Sequence, residues 1–250
     1  MDDFLKGKIA LVTGSTSGIG VEIANKLLES GCTVILNYAN DEKRAKQVLK
    51  KFSKYESQVK IIRANITNEE EVSRMFKKIR KEFNYLDFLI NNAGISSDSP
   101  IEFFSTEEFK RIVNVNLIGK FLCTKHAIPL LKLSKNPSII NISSRLGTRP
   151  NANTCAYSSS QAAIINFTKC CAIELAKYNI RVNSISPSLT LTPLSLKTWS
   201  KKRIQEQKNK IPLRRLGKPE YIADAVIFLL SEKASYIHGE NLGVNGGALL

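Results

Sequence analysis

Polar and apolar positions alternate along the chain between two rhythms. Short runs rich in β-branched residues, Lys8 to Thr13, Thr33 to Asn37, Val59 to Arg63, Leu86 to Ile90, Ser138 to Ile142, Arg181 to Ile185 and Asn241 to Val244, read as about seven strands. Between them lie stretches of helical periodicity: Val21 to Glu29, a Lys-rich segment from Asp41, Asn68 to Phe83 with Glu69, Glu70 and Glu71 in its first turn, Thr106 to Leu133, Ala156 to Lys177 and Pro219 to Ser231. Pro129 is the expected bend in the longest of these. Strands that are apolar throughout, strictly interleaved with helices, predict a parallel sheet covered on both faces: an α/β, doubly wound, Rossmann-like fold. No repeat, linker or low-complexity stretch divides the sequence, so residues 1–250 read as a single domain.

Composition narrows the class. A chain of 250 residues with 43% hydrophobic content can bury one large core. The longest apolar runs, Ile9 to Val12 and Ala225 to Leu230, fall far short of the roughly 20 residues a membrane span needs. The start, MDDFLKGK, is acidic and shows no targeting signal. Five cysteines (Cys32, Cys123, Cys155, Cys170, Cys171) are irregularly spaced and form no CxxC pair, which argues against a disulfide framework and against a metal site. The expectation is a cytoplasmic protein in a reducing compartment. The net charge of +15 is spread over several helices, with Lys43, Arg44, Lys46, Lys50, Lys51 and Lys54 on one and Lys77, Lys78, Arg80 and Lys81 on another. Nucleic-acid binders concentrate such charge on one element with interleaved aromatics, so a nucleic-acid partner is the weakest reading and solvated helix faces the strongest. Phosphorylated cofactors or an acidic carrier protein account for the remainder.

Two stretches carry chemistry. Thr13-Gly14-Ser15-Thr16-Ser17-Gly18-Ile19-Gly20 follows a strand and opens a helix. Glycines there let the backbone approach a pyrophosphate, whose charge the helix N-terminus stabilises, so the motif reads as dinucleotide-binding. Ser144 to Gln161 sets a serine hydroxyl and the Tyr157 phenol between a buried strand and the start of a helix, a pair suited to holding and protonating a carbonyl oxygen. Gln161, four residues after Tyr157, lies on the same helix side one turn on.

With the glycine turn, Asn91-Asn92-Ala93-Gly94 after the fourth strand, Asn116 in Asn114-Val115-Asn116-Leu117, Ser144, Tyr157 and Pro187 in this order, the sequence resembles the short-chain dehydrogenase/reductase family over essentially its whole length. Asn183 to Pro187 and the ending Gly239 to Gly247 make it most similar to the subgroup that includes 3-oxoacyl-acyl-carrier-protein reductases. The resemblance implies that Gly14, Ser15, Ser17, Gly18, Ile19 and Gly20 line the pyrophosphate. Asn37 and Asn65 would flank the adenosine, Asn92, Ala93 and Gly94 the cofactor ribose, and Pro187 and Thr192 the nicotinamide carboxamide. Ser144 would hold the substrate oxygen, Tyr157 would donate the proton, and Asn116 would anchor a water that resupplies it. A homotetramer with Thr106 to Leu133 and Ala156 to Lys177 at one interface is also implied.

Several positions depart from the family pattern. The expected lysine four after the tyrosine is Gln161, which can bond a ribose hydroxyl but supplies no charge to lower the tyrosine pKa. At an unperturbed pKa near 10 only about one tyrosine in a thousand is phenolate at pH 7. An aspartate after the third strand is replaced by Asn65, a glycine after Pro187 by Ser188, and a late aspartate by Asn245. Lys120, one turn after Asn116, and Arg145, next to Ser144, start near the missing lysine, but the expectation for charged residues at such positions is that they point away or into solvent. Asn37-Tyr38-Ala39-Asn40 ends the second strand without an acid to repel a 2′-phosphate, and Lys43 and Arg44 follow, so NADP(H) is favoured over NAD(H). Residues 188–215 read as a mobile segment covering the substrate. Its apolar Leu189, Leu191, Leu194, Leu196 and Trp199 are set among Lys197, Lys201, Lys202, Arg203, Lys208, Lys210, Arg214 and Arg215. The leading reading is an NAD(P)(H)-dependent reductase of a carbonyl substrate such as a 3-oxoacyl thioester. The alternative is a catalytically weakened or silent relative that binds NADP(H) or a partner as a sensor or scaffold.

Overall fold

The computed structural model describes residues 3–192 and 200–250. Seven strands, β1 (Ile9–Val12), β2 (Thr33–Tyr38), β3 (Val59–Arg63), β4 (Phe88–Asn91), β5 (Ser138–Ile142), β6 (Arg181–Pro187) and β7 (Asn241–Val244), form one sheet in the order β3-β2-β1-β4-β5-β6-β7. Every pair is parallel, with Val12 opposite both Leu36 and Ile90, and Asn91 opposite Asn141. The central strands are buried from end to end because both faces are covered, and their side chains alternate between two cores. Ala10, Val12, Phe88, Ile90 and Ile140 pack with helices α1 (Gly18–Glu29), α2 (Glu42–Lys51) and α8 (Pro219–Leu230). Leu11, Leu89 and Ile139 pack with α3 (Glu69–Phe83), α5 (Gly119–Leu131) and α6 (Cys155–Leu175). α7 (Lys201–Asn209) lies within the polar excursion. Among the described residues no helix is long and apolar enough to cross a membrane.

Helix starts follow local chemistry. Asp41 and Asn68 cap α2 and α3 by accepting from the Arg44 and Glu71 amides at 2.8 and 3.0 Å, and Ser105 caps α4 (Thr106–Val113) through the Glu108 amide at 3.1 Å.

The expected long helix from Thr106 to Leu133 is interrupted, but not by proline. α4 runs into a π-helical turn, Asn114–Ile118, and α5 continues from it. Pro129 lies inside α5 near its end, where the N–H it lacks removes only a bond of the last turn. The turn widens where Asn116 is pulled from the helix face toward another segment: its Oδ1 accepts from the Ile95 amide at 2.8 Å and its Nδ2 donates to the Ile95 carbonyl at 2.9 Å. Single π turns of this kind concentrate at functional sites. Of the segment expected to cover the substrate, Leu194, Leu196, Lys197 and Trp199 lie outside the described residues.

Candidate active site

β2 and β4 flank β1, so the chain reverses its winding direction there, and the carboxyl ends of β1 and β4 form the crevice where open α/β sheets bind ligands. Thr13 and Asn92 sew its two sides together. Thr13 Oγ1 accepts from the Asn92 and Ala93 amides at 3.0 and 3.1 Å, and Asn92 Nδ2 donates to the Thr13 and Gly14 carbonyls at 2.9 and 3.1 Å. Gly20 is forced by this closeness: a Cβ on it would stand 2.5 Å from Asn92 Nδ2 and 2.6 Å from the Gly14 oxygen. Gly14 and Gly18 have φ of +60° and +54°, a region that favours glycine. Ser17 stands at the N-cap of α1 without a side-chain capping bond, and the first turn holds no acid, so the backbone donors and positive end of the helix dipole are left for an anion. Ile19 packs against the core beneath the turn. A methyl of Thr192 lies 3.5 Å from where a Cβ of Gly18 would be, which places Thr192 over the turn. Pro187 closes β6 opposite Val244, and a Cβ on Gly94 would lie 3.3 Å from Asn116 Oδ1.

Ser15 and Asn37 face inward, and Asn65 is half-buried. Ser15 Oγ accepts from the Asn37 amide at 3.0 Å. Asn37 is buried, its Nδ2 donating to the Ala64 carbonyl at 3.0 Å and its Oδ1 accepting from the Gly14 amide at 3.4 Å. Asn65 Oδ1 accepts from the amide and hydroxyl of Thr67 at 3.1 and 2.9 Å. These bonds brace the glycine turn and the β3 end. Asn245 likewise holds a turn, accepting from the Gly247 amide at 3.0 Å.

The hydroxyl pair sits at the end of the next strand. Past Ile142 the chain stays extended at Ser144 (φ −154°, ψ 152°), whose Oγ accepts from the Leu146 amide at 3.2 Å. The following loop lies directly on α6, so close at Gly147 that a Cβ would meet the Gln161 carbonyl carbon at 2.7 Å. Ser143 Oγ donates to the Gln161 carbonyl at 3.1 Å, a second tie between β5 and α6. These contacts bring the Ser144 hydroxyl near enough to the Tyr157 phenol to act on its proton equilibrium. Burial pushes the Tyr157 phenol above its ordinary pKa; the Ser144 hydroxyl opposes this and the Asp98 carboxylate adds to it, so the phenol is held protonated at neutral pH. Asn116, fully buried, donates from Nδ2 to Ser160 Oγ at 3.0 Å, and Gln161 donates from Nε2 to the same oxygen at 3.4 Å. Two pairs result: Ser144 near Tyr157, and Gln161 linked to Asn116 through Ser160. A cleft of about 710 Å³ nearby is lined by Leu146, Gly147, Cys155, Ser158 and Ala162 but by neither Ser144 nor Tyr157.

Lys120 overturns its expectation. Its side chain turns inward with 2% of its surface exposed, and its ammonium donates to the Ile142 carbonyl. Burial lowers its pKa from 10.5 to about 7. Arg145 is half-buried, and burial lowers its pKa from the ordinary value. Ser143, Gly147 and Ser160 carry no role that the sequence shows, and Thr13 enters there only as the first residue of the glycine turn. As residue types they are commonplace, and only tertiary contact singles them out.

Comparison with known proteins agrees with this geometry. The family described as enoyl-(acyl carrier protein) reductase matches residues 14–248. The 3-oxoacyl-(acyl-carrier-protein) reductase FabG of Aquifex aeolicus is 40% identical over 248 residues, covering 99% of each chain, and that of Thermotoga maritima 34% identical over 246 residues, covering 98% of this chain and 99% of the other. Among solved structures, the Brucella melitensis 3-ketoacyl-(acyl-carrier-protein) reductase complexed with NADH superposes with a TM-score of 0.89 at 34% identity, covering 98% of this chain and 100% of that one. Ligand-free aldohexose dehydrogenase of Thermoplasma acidophilum superposes with a TM-score of 0.87 at 35% identity, covering 98% and 94%.

Proposed function

This chain belongs to the short-chain dehydrogenase/reductase family, an oxidoreductase family, and on that premise we propose that it reduces the 3-oxo group of an acyl thioester with NADP(H). The observation that carries the reading is the nearness of the Ser144 hydroxyl to the Tyr157 phenol past the carboxyl end of β5, in a fold whose glycine turn is shaped for close backbone approach. Bound nicotinamide would supply the hydride. Ser144 holds the substrate oxygen, and Tyr157, protonated at neutral pH, gives its phenolic proton to that oxygen as it gains negative charge. Asn116 fixes the segment at Ile95 and, through Ser160, the helix turn behind Tyr157. Gly14, Gly18, Gly20 and the start of α1 take the pyrophosphate.

The 2′-phosphate favours the edge formed by Tyr38, Ala39 and Asn40, which holds no acid. Arg63 adds a cation there, its Nε donating to the Ala39 carbonyl at 3.0 Å, while Arg44 is drawn to Asp41 at 3.3 Å. Exposed Lys201, Lys202, Lys210, Arg214 and Arg215 give the segment 188–215 a basic rim suited to a phosphopantetheine arm or an acidic carrier protein, and in this reading that segment covers the substrate. Exposed Phe109, Ile118, Phe121 and Ile173 on α4 to α6 favour a homotetramer, and the cytoplasm is its proposed compartment.

A silent cofactor-binding relative is the second reading, favoured by the Gln161 amide, which is occupied by Ser160 and brings no charge. Oxidation of NADPH with a short 3-oxoacyl thioester separates the two. We expect turnover that falls at least about 100-fold in Tyr157→Phe while NADPH still binds. Bound NADPH without turnover in the unmodified protein would establish the silent reading instead.

A further inference from the structure

Lys120 is a buried lysine without a carboxylate partner. Nothing about the fold requires a cation beneath the sheet, and burying one costs stability. It forms no ion pair among the described residues, yet its position is closely defined. The π turn buries Asn116, and α5, which continues from it, buries Lys120 four residues on. Asn116 reaches Ser160 on α6, and Lys120 reaches the carbonyl of Ile142 at the end of β5. That carbonyl lies beyond the last paired residues of β4 and β5, Asn91 and Asn141, and the Ala93 amide, next along from β4, is committed to Thr13. The ammonium therefore takes an acceptor at the end of β5, past the last pairing with β4.

Ile142 stands two residues before Ser144, along backbone that advances about 3.3 Å per residue, so the charge lies within about 10 Å of the Ser144–Tyr157 pair. Ser143, Ser160 and Gln161, bonded to one another beside this strand end, are all at most 5% exposed, so water screens little of the charge. We propose that Lys120 is a positioning residue that supplies to Tyr157, from α5, the positive charge that Gln161 does not supply from α6. It acts in two ways: its donor fixes the strand end that carries Ser144, and its charge favours the developing phenolate when Tyr157 gives up its proton. This rests on the proposed reductase reading.

The charge is present only while Lys120 is protonated, so its influence fades as the pH rises through about 7. The titratable and charged groups around this centre are Cys123 on α5, whose thiol burial pushes up to about 12, Tyr157 on α6, Asp98 after β4, and Arg145 with Arg149 after β5. Cys123 thus keeps its proton throughout the relevant range.

At an effective dielectric near 20, a charge at about 10 Å changes a proton equilibrium by about one unit, or about tenfold. Two readouts test the assignment. One is the pH profile of kcat/KM for thioester reduction, and the other is the resonance of carbon-13-labelled Tyr157 (ring Cζ), identified with Tyr157→Phe, in the NADPH complex. In the unmodified protein the rate should fall about tenfold, and the resonance should inflect, around neutral pH. Lys120→Gln keeps a donor for Ile142 but no charge, and should show neither change while it remains folded across the pH range and its NADPH affinity stays close to that of the parent. An inflection that persists in Lys120→Gln, or is missing in the unmodified protein, overturns the proposal. A Lys120-dependent inflection with no thioester reduction in any variant upholds the charge coupling and removes the reductase reading instead.

Discussion

Replacing Lys120 by methionine turns its buried charge into a measurable pH dependence of stability. The lysine titrates at about 7 in the folded protein against 10.5 as its ordinary value. Between these values the unfolded chain binds one more proton than the folded one, so folding releases a proton and stability rises with pH. Below about 7 both states carry the charge and the full penalty of burying it is present; above, the folded state sheds the proton and the penalty is relieved. The slope approaches about 1.4 kcal/mol per pH unit, and integration from about pH 6 to pH 9 gives a gain of about 3 kcal/mol. Urea unfolding at intervals across that range measures it. The stability of the unmodified protein relative to that of Lys120→Met should rise by that amount with rising pH, because every other titrating group is common to both. Cys32, Cys123 and Cys171, whose buried thiols are pushed up to about 12, lower stability above the ordinary thiol value of 9.0 in both proteins, which sets the upper end of the range. Parallel stability curves would show that Lys120 is not titrating near neutrality, and the reasoning from burial would fail.

Two further predictions concern the helix turn and the glycine turn. In Gln161→Lys an ammonium one helical turn from Tyr157, about 6 Å away, should lower the tyrosine pKa by up to about two units, since such a pair at an effective dielectric near 20 is worth about 3 kcal/mol. The midpoint of the pH profile for oxidising a 3-hydroxyacyl thioester should move down accordingly, and an unmoved midpoint would show that the charge does not reach Tyr157. In Gly20→Ala the new methyl would overlap Asn92 Nδ2 and the Gly14 oxygen, at 2.5 and 2.6 Å, where neither side can yield without opening the turn. Overpacking of this kind costs about 1–3 kcal/mol, so NADPH affinity by fluorescence titration should drop at least about fivefold, and unchanged binding would contradict the closeness of the two strand ends.

The fold was legible in the sequence because burial on both faces leaves a pattern that neighbours in sequence share. Ile9 to Val12 and Ser138 to Ile142 are apolar along their length, and the caps at Asp41 and Asn68 act over three residues. The hydroxyl pair was legible for a similar reason, since Ser144 lies just past a strand end and Tyr157 in the first turn of a helix. What stayed hidden depends on the direction a side chain takes. Asn37 ends its strand where a cofactor edge is expected, yet it turns inward because Gly14 and the β3 end offer bonds that only the assembled sheet brings near. Pro129 drew attention to the wrong part of a helix whose irregularity lies at Asn114–Ile118, where a polar side chain is pulled toward Ile95.

Lys120 shows the same limit most sharply, because a lysine read from sequence belongs in solvent and only the π turn and the Ile142 carbonyl at the end of β5 make an interior place for it. Its two effects run in opposite directions through one protonation. Rising pH relieves the cost of burying the charge and, in the proposed role, removes the help that charge gives Tyr157. Stability and reduction rate should therefore change in opposite senses over the same pH range. A lysine kept for packing alone would move only the first, because methionine fills similar space without a charge to lose.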